Sequence, residues 1–506
     1  MRTTDCSVTI HSENEVRRVT APYNTLLYQI LQEHTSLNQY MHPSCGGRGL
    51  CGGCAVRAGG EMNPVQAEER YLLGRKINQG FRLACHCFVK GDVAVFLDPI
   101  QSPERDEEET HYGVAVLAEE TMITAEFYNL TEDKLLNCYQ EENRLLAFGA
   151  NGAERAAYAK SHSGAQEQMR AVVREQVSGI VSRLCEMFGV EKWQLERLIL
   201  AAGTFFHDLF AGLDIEALPE HQALTKDSMV FEGRQVQLAA APQAAVELPG
   251  VISGAVGSDL EMAILSSGIY RSEYPVLMVD FGTDIRLVLG NRQALFCTAL
   301  RDCENSLVCR FSTDSGAVHH VWRRKYRIFH EALESAPSGL ALSGAVSALS
   351  VMQHAGLADQ NGKMLRREEL KPSKQRMLSV VDGETVFYVD RSHGVFVSQQ
   401  DLDSVMQIRR ALSAGIRQLL ARYGVTREDL VAVYVTGEMS YGMTPEILRE
   451  LFGDVVDISQ NLYIAGSMGI GGASLFLRNA RARANVEHIR TTAVYVPFGE
   501  AEANQS

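Results

Sequence analysis

Residues 44–57 read "SCGGRGLCGGCAVR", three cysteines and five glycines in fourteen positions. The thiols of this stretch fall as Cys45-x5-Cys51-x2-Cys54, and Cys85 follows after thirty intervening residues, with Cys87 two positions beyond it. A [2Fe–2S] cluster takes four thiolates, two on each iron. One tight loop can carry three of them and a later segment the fourth. The glycines serve the same end, because a backbone free to take positive φ can approach inorganic sulfide closely and aim N–H groups at sulfur. A structural zinc site prefers two matched C-x2-C pairs, and only Cys51–Cys54 makes one. Buried, unligated cysteines would leave the glycines without a reason. The spacing therefore points to a [2Fe–2S] site.

The flanking sequence is that of a small mixed sheet. "CSVTIH" and "NEVRRVTA" alternate as two short strands. "YNTLLYQILQEH" places Leu26, Leu27, Ile30 and Leu31 at helical spacing. "CAVRAGGEMN" reads as strand and turn, and "RLACHCFVKGDVAVFL" as a strand carrying Cys85 and Cys87 on one face, a Lys-Gly-Asp turn and a second strand. His86 is expected on that strand rather than as a metal ligand.

The chain has 506 residues and a formal net charge of −14. That length suits about three domains. The charge argues against nucleic acid and against acidic membrane surfaces as partners. No apolar run reaches membrane-spanning length. The start "MRTTDCSVTI" lacks a leader pattern, so a cytoplasmic location is the default expectation. Eleven cysteines in so long a chain are too sparse for a disulfide scaffold.

Residues 98–113, "DPIQSPERDEEETHYG", read as a solvated acidic connector. Beyond them strand and helix patterns alternate, as in an α/β region. "YGVAVLAEETMITAEFYNL" is a hairpin, "RLILAAGTFFHDLFAG" a strand running into a helix, and "IAGSMGIGGASLFLRN" a Gly-rich loop before a helix. In "YPVLMVDFGTDIRLVLGN" two strands flank a turn made of Asp280, Gly282 and Thr283. Such a turn can hold magnesium through water and cradle phosphate on its N–H groups. Gly437, at the end of "LVAVYVTG", would let a nucleotide approach the backbone.

Order and spacing now carry a resemblance. The ferredoxin stretch resembles plant- and adrenodoxin-type ferredoxins, whose fourth ligand follows an R-L-A-C stretch. This implies the ligand set Cys45, Cys51, Cys54 and Cys85, with Cys87 spare. The whole chain, to about residue 477, resembles the reductive activators of corrinoid proteins. It does so through "HYGVAV", "LAAGTFFHDLFAGLD", "LPGVISGAVGSDL", "LMVDFGTDIRLVLGN", "GLALSGAVSALSVMQHAGLADQNG", "VYVTGEMSYG" and "IAGSMGIGGASLFL". The resemblance implies a β-grasp, α+β ferredoxin domain followed by an α/β domain of the actin, Hsp70 and sugar-kinase (ASKHA) type. The expected layout is ferredoxin over 1–98, acidic linker over 99–111, two ASKHA subdomains over 112–274 and 275–490, and a tail over 491–506. It further implies transfer of one electron to a corrinoid protein, Co(II) to Co(I), from an upstream donor. A plant-type cluster sits near about −400 mV. If the cobalt couple lies about 100–200 mV lower, the electron climbs about 2–5 kcal/mol, at about 2.3 kcal/mol per 100 mV. State-selective binding or ATP with magnesium could supply that. Homodimerisation is left open.

The chain departs from that family at the nucleotide. The first Asp-x-Gly-Thr turn is missing: Leu117 stands for the Asp and Glu119 for the Gly, and a Glu there crowds and repels phosphate. A Gly-Ser-Gly turn reads Leu342-Ser343-Gly344, leaving Ser343 and Gly344. The adenosine turn reads "TGEMS", keeping Gly437, and an Ala-Ala-Gly-Pro segment reads "TALRDCEN". Two readings follow. In one, a corrinoid activator has weak or lost ATP hydrolysis. In the other, a ferredoxin-type carrier uses its degenerate ASKHA domain to dock a different enzyme without ATP turnover. Cys297, Cys303 and Cys309 read as ordinary cysteines, and His319 and His320 as loop residues. No catalytic triad or paired catalytic carboxylates stand out.

Overall fold

The chain was analysed as a computed structural model, which describes residues 5–12, 15–35, 40–41, 53–66, 69, 73, 76–77, 80–97, 110–215, 227–282, 284–302, 305–306, 310–313, 316–325, 327–332, 336–458 and 461–499. Cys45, Cys51, Thr283, Cys303, Cys309 and nearly all of the acidic linker lie outside them.

The N-terminal sheet has five strands. Their order is Val16–Pro22, Asp5–His11, Val89–Phe96, Ala55–Met62 and Phe81–Leu83. Asp5–His11 and Val89–Phe96 run parallel at its centre. The helix Leu27–His34 buries Leu27, Ile30 and Leu31, its apolar stripe, in a core with Val8, Ile10, Val56 and Val95. This is the β-grasp arrangement that the sequence suggests. Two local expectations are corrected. Lys90-Gly91-Asp92 is no turn: the strand Val89–Phe96 continues through it. It is a bulge instead: between the pairs Gly60–Val93 and Met62–Val89 this strand carries two residues more than its partner Ala55–Met62. There a Cβ on Gly60, at φ +121°, would stand 2.2 Å from the Asp92 carbonyl oxygen. Cys85 and Cys87 also do not share a strand face. Cys85 sits in a single 3-10 turn, Ala84–His86, that ends the short strand Phe81–Leu83.

Two larger sheets follow. The first runs in the order Met229–Glu232, Ala245–Leu248, Leu195–Ala202, Tyr112–Ala118, Met122–Asn129, Lys134–Glu142. The second is built on Leu295–Asp302, Ile285–Gly290, Val276–Phe281, Ala432–Thr436 and Leu462–Ile464. Val276–Phe281 is buried at every position, as expected of a strand covered on both faces.

The two halves share a core. Ala115, Leu117 and Ile199 from the first sheet pack with Met278, Val288 and Tyr434 from the second, and with Leu260, Ala473 and Phe476 on helices between them. The helix Met468–Arg478 joins them, and here the Gly-rich loop is corrected. Gly469, Gly471 and Gly472 belong to the helix. A Cβ on Gly472 would stand 1.9 Å from the Met262 carbonyl oxygen, so glycine lets this helix lie against Ser258–Ser267. His320 is also not a loop residue, whereas His319 lies between the strands Ala317–Val318 and His320–Arg324. His320 opens the strand His320–Arg324, and the His319 amide donates to Glu331 across the same hairpin.

Candidate functional site

At the N-terminal end, the turn Ala84–His86 is set by a buried ion pair. Arg82 and Glu69 meet twice, Nε to Oε1 at 2.8 Å and Nη2 to Oε2 at 2.8 Å, with the Glu69 side chain fully buried. Glu69 also accepts from the Leu83 and Gln66 amides at 3.0 and 3.1 Å. Burial pushes its carboxyl up, but Arg82 and the two amides outweigh that and hold it below the usual range. The carboxylate thereby pins Leu83, and the Ala84 amide donates to the Cys54 carbonyl at 3.0 Å. The result brings Cys54 and Cys85 together, Sγ to Sγ at 3.0 Å, with Cys54 buried and Cys85 half-buried.

That convergence fits the donor set of a [2Fe–2S] cluster: two soft ligands, from the loop and from the later segment, meet at one point. Cys87 is different. It is fully buried, its Sγ lies 3.9 Å from Glu69 Oε1, and burial pushes its thiol up to about 12. His86 holds Gln66 Oε1 through Nδ1 at 3.0 Å, and its ring lies 6.4 Å from that of Tyr463 on an edge strand of the second large sheet. Tyr463 in turn stacks on Tyr434 at 5.1 Å.

The second group of expected residues meets where the two large sheets join. Asp280 is the penultimate residue of Val276–Phe281, 5% exposed, and its Oδ2 accepts from Arg286 Nε at 2.8 Å. Arg286 reaches Asp259 as well, at 2.7 Å. Gly437, at φ +100°, lies against this turn: a Cβ on it would stand 2.4 Å from the Phe281 carbonyl carbon and 2.5 Å from Asp280 Oδ1. Gly282 keeps open space around it, its nearest neighbour 3.4 Å from a would-be Cβ. Ser343 and Gly344 open the helix Leu342–Ala355 beneath the segment that follows Gly437. Ser343 is fully buried and donates to the Tyr441 carbonyl at 3.3 Å. A Cβ on Gly344 would collide with the Val318 carbonyl at 1.9 Å.

Three residues that matter here are not singled out in the sequence: Asp259, Arg286 and Glu438. Each lies within a stretch that carries the resemblance, but only the fold brings them to Asp280. Glu119, which did stand out, tips the hairpin of the first sheet and accepts from Ser467 at 3.0 Å. Two residues on, Thr121 donates to Glu438 Oε2 at 2.7 Å and bonds Thr313 at 3.2 Å. Leu117, in the lost Asp position, is buried, and its side chain lies 2.9 Å from where a Gly469 Cβ would stand. The cleft thus gathers four carboxyls, of which Asp259 and Asp280 meet Arg286 and Glu119 and Glu438 do not. Burial, and then the neighbouring Glu438, push Glu119 well above the usual carboxylate range. Burial and Glu120 raise Glu438 to about 7, against the bond from Thr121. Burial also raises Asp280, despite Arg286. Among the described residues, no three His, Cys, Asp or Glu side chains are placed to hold a metal ion.

Three family models match. Residues 12–90 match the 2Fe-2S iron-sulfur cluster binding domain, residues 112–272 the RACo middle region, and residues 274–505 the C-terminal domain of RACo, the ASKHA domain. The chain is 22% identical over 383 residues to the corrinoid activation enzyme RamQ of Eubacterium limosum, covering 72% of this chain and 61% of that protein. The match thus spans about three fifths of that relative's length. Over 94 residues, 18% of this chain and 21% of the other, it is 33% identical to one subunit of a Na(+)-translocating NADH-quinone reductase from Pseudomonas aeruginosa. Among solved structures, a reductive activator for corrinoid, iron-sulfur protein superposes with a TM-score of 0.65 at 18% identity, over 97% of this chain and 96% of that one. With a 2Fe-2S domain ahead of the RACo middle region and the RACo ASKHA domain, the chain belongs to the RACo family.

Proposed function

We propose that this chain is an iron–sulfur electron-transfer protein that reductively activates a corrinoid protein, Co(II) to Co(I), without efficient ATP hydrolysis. The observation that supports it is the meeting of Cys54 and Cys85 at 3.0 Å in a chain whose remaining length matches the RACo domains. When bound, a [2Fe–2S] cluster supplies one-electron exchange. The chain's own residues do the rest. Cys54 and Cys85, with Cys45 and Cys51 by their spacing, hold the cluster. The Glu69–Arg82 pair fixes the segment that carries Cys85. His86 sets that segment against Tyr463 of the ASKHA domain. An upstream donor refills the site, and the corrinoid partner accepts one electron per activation. A cytoplasmic location belongs to this reading. No helix among the described residues is long and apolar enough to cross a membrane.

The loss of ATP turnover rests on Asp280. Its carboxylate is engaged by Arg286, with Glu119 and Glu438 close by. A nucleotide seat needs positive or neutral donors facing phosphate, and this cleft offers carboxyls. Should Gly282, Thr283, Ser343, Gly344 and Gly437 still hold a nucleotide, they would do so without a free Asp280. The test mixes reduced protein with a candidate corrinoid protein and follows the Co(II) absorption band with and without ATP. Loss of the band under both conditions is expected. A band that persists under both would remove the activator reading. ATP turnover that Asp280→Ala abolishes would restore ATP to the mechanism.

A further inference from the structure

The strands His320–Arg324 and Arg327–Glu331 form a two-stranded sheet of their own. Side chains directly opposite each other in such a pair share a face, so the register sorts the hairpin into two faces. One packs inward. Val321 is buried there, its amide donates to Ser347 Oγ on the helix Leu342–Ala355 at 2.9 Å, Ile328 packs on the same core, and His330 meets Asp390 at 3.5 Å. The other face carries three pairs: His320 with Glu331, Trp322 with Phe329, and Arg324 with Arg327. The rings of His320, Trp322 and Phe329 stack in a row, with centroids 5.3 and 5.8 Å apart. Trp322 is half-buried and Phe329 is 37% exposed.

The tip adds Arg323 and Lys325 to Arg324 and Arg327. All four cations are exposed, and among the described residues none of them forms an ion pair. Like charges directly opposite on neighbouring strands destabilise a sheet, so the Arg324–Arg327 pair costs the fold and gains it nothing. The surroundings are of the other sign, since the chain holds 62 acidic residues against 48 lysines and arginines. Aromatic residues and Arg are the types enriched where proteins meet, and Trp and Arg carry much of the energy there. The hairpin spans about 17 Å, five residues at about 3.4 Å each, and salt screens its charges beyond about 10 Å. A nucleic acid or an acidic membrane would extend past it and meet the net charge of −14. A protein can confine its acids to a patch of the hairpin's own size.

We infer that the outward face of this hairpin docks an acidic patch of the partner protein, with Arg324 and Arg327 pairing its carboxylates and Trp322 and Phe329 covering the centre of the contact. The identity of that partner, a corrinoid protein, rests on the activator reading. The hairpin adds where the partner is held and what charge its contact surface carries.

The chain has two tryptophans, Trp193 and Trp322, so the full chain with Trp193→Phe reports on this face by its fluorescence alone. Titration with a candidate corrinoid protein should change the Trp322 emission, with an affinity that falls as salt rises. Arg324→Glu combined with Arg327→Glu keeps like charges opposite each other, so the fold should be no worse off. It should weaken binding at least about tenfold at low salt and much less at high salt. Phe329→Ala should weaken binding about fivefold at either. The Co(II) band is followed in the same mixtures. If Co(II) is reduced and the variants need no more partner for half-maximal rate than the parent, the docking face is overturned and the activator reading stands. If Co(II) persists while Trp322 responds and the arginine variant does not, the activator reading falls and the docking face stands. Trp322 emission that no corrinoid protein changes, or tighter binding of an oligonucleotide or of phosphatidylserine vesicles, would overturn the docking face as well.

Discussion

The chain buries carboxylate–arginine pairs at both of its candidate sites, and the two are built to opposite effect. At the iron–sulfur end one carboxylate meets one guanidinium and two amides, and Glu69 is held ionised. In the cleft one guanidinium serves two carboxylates while Glu119 and Glu438 stand by, and burial raises Glu119, Glu438 and Asp280 alike. The first arrangement is neutral, closed and fit to hold a rigid ligand segment. The second carries surplus negative potential, eased by protonation. A site that needs constancy has matched charges. A cleft whose carboxyls outnumber its cations takes up protons instead.

The largest expected effect tests the first arrangement. Cys54→Ser or Cys85→Ser should abolish cluster binding, read as iron content and as the electron paramagnetic resonance signal of the reduced protein. Cys87→Ser should keep both, because its thiol is buried beside Glu69 and held protonated. Retention in Cys85→Ser with loss in Cys87→Ser would exchange their roles.

Removing each arginine sets the two arrangements against each other directly. Taking one partner from a buried pair costs about 3–5 kcal/mol. Arg82→Met should lose that much stability in the ferredoxin domain, with cluster content falling alongside. Arg286→Met leaves two carboxyls instead of one, Asp259 and Asp280. Its loss, measured by denaturant unfolding at pH 8, should shrink at pH 5 as the stranded carboxyls take up protons. Glu69 has two amides that keep favouring its charge, so the Arg82 variant should recover less. Equal recovery in both would erase the distinction.

How much of this was legible beforehand follows from range. The four-thiol spacing and the alternating strands are local signals: the strands form where they are expected and Cys54 meets Cys85, while Cys45, Cys51 and the glycines between them lie outside the described residues. The turn at Asp280 was visible for the same reason. What the sequence hid depends on contacts hundreds of residues apart. Thr121 reaches Glu438, and Glu119 reaches Ser467, across the join between sheets. Arg286 looks like an ordinary outward residue of a strand until Asp259 arrives beside it. Gly472 reads as loop composition, although its use is to let one helix cross another at Met262. The Lys-Gly-Asp "turn" misled because Gly91 sits where its own strand bulges against Ala55–Met62 without ending.

Protonation of the cleft gives the third test. Glu438 has a folded-state pKa of about 7, against 4.5 for the exposed group. A raised carboxyl binds its proton more tightly when folded, so its contribution is complete below about pH 4.5 and is lost as pH rises to about 7. The loss amounts to about 3 kcal/mol at about 1.4 kcal/mol per unit. Unfolding free energy should therefore fall between pH 5 and 8, and Glu438→Gln should flatten that slope while keeping an acceptor for Thr121. A slope unchanged by the substitution would place the titrating group elsewhere, with Glu119 the next to examine.

The smallest effect concerns the link between the regions. His86 lies one residue from Cys85 and meets Tyr463, which stacks on Tyr434. An aromatic pair of this kind contributes about 0.5–1.5 kcal/mol, too little to hold two domains together but enough to choose one orientation of the Cys85 turn. Tyr463→Ala should leave cluster content intact. It should lower stability by about 1 kcal/mol and speed amide hydrogen exchange in Ala84–Cys87, because the turn would lose its outer support and keep the Glu69 bonds beneath it. Exchange unchanged there, with electron transfer to a corrinoid partner also unchanged, would mean that Glu69 and Arg82 alone fix the turn and that the matched ion pair suffices without the neighbouring domain.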